Sequence, residues 1–170
     1  MAKASPAKQL ASFIAKFSPD VARQTKAALK KMRVMLPGAV ELVYDNFNAL
    51  AIGFCPIPGN ERTSDAVFSI AVFPRRPSLV FIYGSRLRDP RKLLNGSGNQ
   101  VRHIPLTDAK TLDLPGVRAL MNQALKNAGA KPIRTASTPR SNRGRIVIKS
   151  ISAKQRPRRS PAPKAPSRSR

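Results

Sequence analysis

The sequence predicts an α+β fold: an antiparallel sheet of about five strands, two N-terminal helices and one C-terminal helix, followed by a disordered basic tail. Three observations lead there. Helical periodicity is confined to the first 35 residues and to 115–128. Between them, β-branched and apolar runs alternate with tight-turn chemistry, the pattern of hairpins rather than of crossover units. Beyond that the composition changes: residues 131–170 hold 13 Lys and Arg, six prolines, no acid and no aromatic residue. So polar a segment cannot bury enough apolar surface to offset its ordering entropy. The expected organisation is a flexible start over 1–7, one domain over 8–128 and a Pro/Ser/Arg-rich, mostly disordered tail over 129–170.

Each element has a local reason. Leu10, Phe13, Ile14 and Phe17 fall at i, i+3, i+4 and i+7, so 7–17 suits an amphipathic helix. Ser18-Pro19-Asp20 opens a second helix, with serine as cap, proline in the first turn and an acid at the positive end of the dipole. That helix turns Val21, Ala28, Leu29 and Met32 inward and stops at Leu36-Pro37-Gly38. Strands over 39–44 and 49–54 flank the turn Asp45-Asn46-Phe47-Asn48, and strands over 66–73 and 79–83 flank Pro74-Arg75-Arg76-Pro77. The second pair is almost continuously apolar, which predicts cover on both sheet faces. A fifth strand over 100–106 follows a long loop, and Val117, Leu120, Met121 and Leu125 give the last helical stripe. Within the tail, Arg145 to Ile151 is β-branched; it suits an edge strand, and equally a segment that stays extended until a partner arrives.

Whole-chain numbers exclude several function classes. The chain has 170 residues and a formal net charge of +24. One cysteine, Cys55, excludes an intrachain disulfide and a Cys-rich zinc site; one histidine, His103, excludes paired-His motifs. No apolar run approaches the roughly 18 residues of a membrane span. Met1 to Pro6 lacks a signal-peptide stretch, so the expected location is the cytoplasm, at the nucleoid if nucleic acid is bound. There is no G-x-S-x-G, H-E-x-x-H or P-loop, and Gly96-Ser97-Gly98 lacks the third glycine of a dinucleotide fingerprint. Cys55 and His103 read more simply as core filler and sheet-edge imidazole than as a nucleophile pair. Glu41 and Asp45 share one face of a regular strand and read more simply as ion-pair partners than as an acid–base couple. No catalytic residue, cofactor or metal site is expected, and the electropositive field opposes cation capture.

Several blocks, in order, carry a family likeness. They are Leu36-Pro37-Gly38-Ala39-Val40-Glu41, Tyr44-Asp45-Asn46-Phe47-Asn48, Ser69-Ile70-Ala71-Val72-Phe73-Pro74, and Gly96 through Ile104. Together they resemble the YdhG-like family, small bacterial α+β domains known mainly as domains of unknown function. The resemblance covers roughly 8–128 and implies helices packed on an antiparallel sheet around a groove. It places Tyr44 and Asn46, Tyr83 and Arg86, and Arg102 and His103 on that groove. Tyrosine hydroxyls beside guanidinium groups suit a small anionic ligand. Some family members carry an iron-chaperone label. The chain departs from the common form at Asp45-Asn46-Phe47, where many members have a Gly-Met-Pro-like turn, and in its basic tail.

The charge pattern points to polyanions. Arg23, Lys26, Lys30 and Arg33 form a stripe along the second helix, and Arg75, Arg76, Arg86, Arg88, Arg91, Lys92 and Arg102 crowd the loops. The tail adds Arg140, Arg143, Arg145, Lys149, Lys154, Arg156, Arg158 and Arg159 as candidate phosphate contacts. Each cation that neutralises a phosphate releases counterion, so binding is expected to be salt-sensitive and indifferent to base sequence. The expected function is non-enzymatic, non-specific binding of nucleic acid through the tail. The alternative is a small-anion or metal (iron) chaperone-type domain with an incidental tail.

Overall fold

A computed structural model describes residues 4–57, 62, 65–133 and 144–161. Two helices, α1 (Pro6–Ala15) and α2 (Pro19–Met35), precede five strands: β1 (Val40–Asp45), β2 (Leu50–Cys55), β3 (Phe68–Val72), β4 (Pro77–Phe81) and β5 (Arg102–Pro105). Helix α3 (Pro115–Asn127) follows, then β6 (Ile146–Ile151). Short 3₁₀ turns occupy Gly84–Arg86 and Ala109–Asp113. The α+β class stands, with one more strand than expected. The sheet order is β5-β4-β3-β2-β1-β6, antiparallel throughout except for the parallel β1–β6 pair.

Local chemistry accounts for the boundaries. Ser18 Oγ accepts from the Val21 amide at 3.5 Å, with Pro19 and Asp20 behind it. The same Ser-Pro device opens α1: Ser5 Oγ accepts from the Lys8 amide at 3.3 Å and Pro6 is the first helical residue. Of the flexible start expected over 1–7, residues 1–3 lie outside the described residues, and Pro6 and Ala7 are helical, because a cap and a proline outweigh the lack of an apolar residue before Leu10. Helix α2 stops where Gly38 takes a left-handed φ of 78°, a conformation open to glycine.

All three helices lie on one sheet face. Val43, Leu50, Ile52, Phe54, Phe68 and Ile70 meet Phe13, Phe17, Leu29, Met32, Leu120 and Met121 in the main core. Phe68 and Phe81 pack edge to face at 5.5 Å. The opposite face carries a smaller cluster, Val40, Leu42, Cys55 and Ala66, fringed by Tyr44, Ile82 and Val147. The apolar runs of β3 and β4 are buried on both faces, as expected, although among the described residues no helix lies on their outer side. Ser69, Ala71 and Ser78 disappear there because they are small.

The largest departure concerns the tail. Residues 144–161 are docked on the domain: the Arg145–Ile151 patch takes its edge-strand alternative, and 152–161, expected to be disordered, is placed with it, while 134–143 and 162–170 lie outside the described residues. Strand β6 takes the open edge of β1, with Ile146 and Ile148 packed on the main core. Gly144 makes the approach: a side chain there would collide with the Ala39 carbonyl. After β6 the chain turns across the sheet end. The Ser152 amide donates to the Asp45 carbonyl and the Arg156 amide to the Phe47 carbonyl, both at 2.9 Å. Arg158 then enters the core; its side chain is 5% exposed. Its Nη2 donates to Asp45 Oδ1 at 2.8 Å and also to the Asn46 carbonyl, and its guanidinium lies 5.6 Å from the Phe17 ring centroid. Lys16 Nζ approaches the other Asp45 oxygen at 2.7 Å. Asp45 is fully buried, so a carboxylate in the core holds α1 and the C-terminal segment at once.

Two stability outcomes follow from this lock. Asp45→Asn leaves the buried guanidinium opposite a neutral amide and should cost roughly 3–5 kcal/mol in urea denaturation. Arg158→Met removes the guanidinium together with its two unpartnered nitrogens, leaves Lys16 facing Asp45, and should cost distinctly less. Gly144→Ala should loosen β6 alone, accelerating hydrogen exchange at the Ile146 and Ile148 amides and lowering stability by about 2 kcal/mol.

Candidate functional site

The six groove residues do not converge. Tyr44 ends on the outer face of β1, with Asn46 in the turn beyond it. His103 also faces outward, but on β5, four inter-strand spacings away, about 19 Å at about 4.8 Å each. Tyr83 and Arg86 sit past the far end of β4, with the Arg86 guanidinium 5.5 Å from the Tyr83 ring centroid. They border a pocket of about 280 Å³ together with Asp65 and Asn127. Arg102 is committed to holding its loop: Nη1 donates to the carbonyls of Gly98 and Val101, and its Cβ and Cγ press so closely on Gly84 that no side chain fits there. Gly96 has a φ of 114°, so the glycine there serves the turn. The resemblance-based groove thus divides between diagonal corners of the sheet.

The tail cations separate into different environments. Arg140 and Arg143 lie outside the described residues. Arg145 and Lys149 border a shallow surface along β6 beside the start of α1, and Lys154 is exposed. Arg158 is a buried structural residue and is withdrawn from any surface. Arg156, two positions before it, and Arg159, directly after it, are exposed. The Arg156 guanidinium stands 5.5 Å from the Phe47 ring centroid, and Arg159 Nε donates to the Lys16 carbonyl at 3.3 Å. The helix stripe also thins, because Arg33 closes a bidentate pair on buried Glu41 at 2.6 and 2.9 Å.

What the tail builds is a cleft of about 1170 Å³ at the turn end of the sheet. One wall is the β3–β4 hairpin, Phe73 to Arg76. The floor is the outer side of β4 and β5, with Val80, His103 and Pro105. The other wall is the tail itself, Arg156 to Pro161. Four arginines line it, Arg75, Arg76, Arg156 and Arg159, and among the described residues no carboxylate does. Every described acid is engaged elsewhere: Asp20 with Arg23, Glu41 with Arg33, Asp45 with Lys16 and Arg158, and Asp113 with Lys31 and Arg118. Asp65, Asp89 and Asp108 accept backbone amides. The positive field of the cleft is therefore uncompensated by its own walls.

Two aromatic rings stand at this basic end. Phe47 is 46% exposed in the β1–β2 turn and Phe73 is 43% exposed beside Pro74-Arg75-Arg76. Because Leu50 pairs with Val72, the two turns are neighbours. Sequence reasoning passed over both rings as functional residues. The available signal was an aromatic within a turn, flanked by asparagines in one case and by Pro-Arg-Arg in the other.

The catalytic alternatives dissolve in geometry. Cys55 lies on β2 and His103 on β5, three strand spacings or about 14 Å apart. Cys55 is 1% exposed, and burial, seconded by the Asp65 charge and partly offset by Lys149, pushes its thiol from 9.0 up to about 11. A thiol so buried is a poor nucleophile at neutral pH. Glu41 and Asp45 share the helix-side face of β1, as the strand period requires, and each is consumed by its cation. Among the described residues no three His, Cys, Asp or Glu side chains gather as metal ligands, and no helix is long and apolar enough to cross a membrane. No family model matches this chain, and no curated protein or solved structure matches it.

Cys55 should resist a neutral alkylating reagent at pH 8 in the native protein and react fully once unfolded. The sign of its linkage is also fixed. The thiol holds its proton more tightly when folded, so stability relative to Cys55→Ala should be constant below 9.0 and fall as pH rises towards about 11. Denaturation series on the two proteins read that difference.

Proposed function

We propose that this protein is a non-enzymatic binding protein that holds nucleic acid through its phosphates, without choice of base sequence, on a YdhG-like domain in the cytoplasm or at the nucleoid. The observation that carries the reading is the cleft lined by four arginines and, among the described residues, by no carboxylate. Guanidinium groups match phosphate oxygens with paired donors, and the domain as a whole carries a large positive excess. The contact surface is not the tail alone. Arg75 and Arg76 come from the domain, Arg156 and Arg159 from the docked segment, and Arg158 holds that segment in place.

Size argues against a small ligand here. At about 1170 Å³ the cleft exceeds the roughly 300–1,000 Å³ of a small-molecule pocket and suits a stretch of polymer. The small-anion reading retains the pocket beside Tyr83 and Arg86, but Asp65 on its wall repels an anion.

Truncation before β6 would remove part of the fold, so point substitutions are the test. Four phosphate contacts correspond to a log–log salt slope of about −2.8 on single strands and about −3.6 on duplex. The variant Arg75→Ala/Arg76→Ala should lose about half of that slope, by fluorescence anisotropy with labelled oligonucleotides. Affinity that is indifferent to salt and to the double substitution would overturn the reading.

A further inference from the structure

We infer that the cleft takes single-stranded nucleic acid in preference to duplex, with a base stacked on Phe73. The inference rests on the phosphate-binding reading and adds the substrate class. Duplex DNA presents phosphates outward and keeps its base faces covered, so a duplex satisfies the arginines and leaves the aromatic ring unused. A single strand offers both phosphates and bare π-faces. The cleft is built for both. Its cations sit on two walls, the hairpin pair Arg75 and Arg76 facing the tail pair Arg156 and Arg159. Apolar groups lie beside them, Phe73 and Pro74 on the hairpin and Val80, Val101 and Pro105 on the floor, with Ser78 and His103 as the floor's polar members.

The exposure pattern supports a ring reserved for a ligand. The other large aromatic side chains of β2, β3 and β4, Phe54, Phe68 and Phe81, are at most 1% exposed, whereas Phe73 is 43% exposed. Val101, opposite on the cleft rim, is 45% exposed. Phe73, the first residue after β3, lies beyond Val72, which is buried on the helix side, and is itself exposed on the cleft. Phe47, in the adjoining turn, already has Arg156 against its ring, so one cleft cation is positioned by an aromatic neighbour. The apolar groups beside the cations add nothing to contact with the phosphates of a duplex, and give an unpaired base a place to leave water.

The experiment uses the full chain and two fluorescein-labelled probes, a twelve-nucleotide oligothymidylate and a twelve-base-pair duplex, by anisotropy at matched salt. Phe73→Ala should weaken single-strand binding about 5- to 150-fold and leave duplex binding and both salt slopes unchanged. Phe73→Tyr, which keeps a ring, should restore it. A 2-aminopurine within the single strand should change fluorescence on binding the wild type and the tyrosine variant, and not the alanine variant. Equal single-strand affinity of the wild type and Phe73→Ala, or duplex bound as tightly as single strand, overturns the inference and leaves the phosphate reading standing. No binding of either probe overturns both.

Discussion

The buried carboxylate of Asp45 is the constraint on which the rest of this structure depends. A lone charge in a core of Phe17, Leu50 and Ile148 would be prohibitively costly. It is tolerated because Lys16 from the end of α1 and Arg158 from the C-terminal segment reach it from two sides. Such a pair contributes little net stability compared with a well-packed apolar alternative. Its effect is positional: removing the acid strands the buried arginine, whereas removing the arginine leaves Asp45 with Lys16 but frees the C-terminal segment. Asp45 thereby fixes where the polypeptide goes after β6: across the sheet end, past Phe47, and down to Phe17.

That path creates the basic cleft. With Arg158 turned inward, Arg156 and Arg159 are turned outward, opposite Arg75 and Arg76 on the β3–β4 hairpin. One arginine of the segment is used for folding so that its neighbours are held in place. The backbone that carries Arg156 and Arg159 is already fixed in the folded state. The position of the cleft's tail wall is thus set by a single side chain, which ties the segment to a carboxylate on β1.

Much of the fold is written locally. The Ser18-Pro19-Asp20 cap, the heptad-like stripe of α3, both hairpin turns and the left-handed Gly38 are short-range features, and each occurs where its residues place it. The Arg145–Ile151 patch carries strand chemistry as well, but its partner is Val40–Asp45, about a hundred residues earlier, and nothing in either stretch specifies a parallel pairing. Compositional reasoning about 129–170 averaged over a segment in which a few β-branched residues and one arginine find burial. The site was harder still. Arg156, Arg158 and Arg159 are indistinguishable as letters, and so are the buried Phe54 and the exposed Phe73.

By itself, then, the chain's order of residues determined the element types, the hairpins, the lack of catalytic motifs and the surplus of cations, because these follow from nearest-neighbour stereochemistry and from simple counting. Tertiary structure decided which cations remain available, which rings face water, and that two distant stretches form one cleft. Those outcomes depend on burial, and burial is a property of the whole packed molecule: a guanidinium becomes structural or functional only once the position of the carboxylate is known.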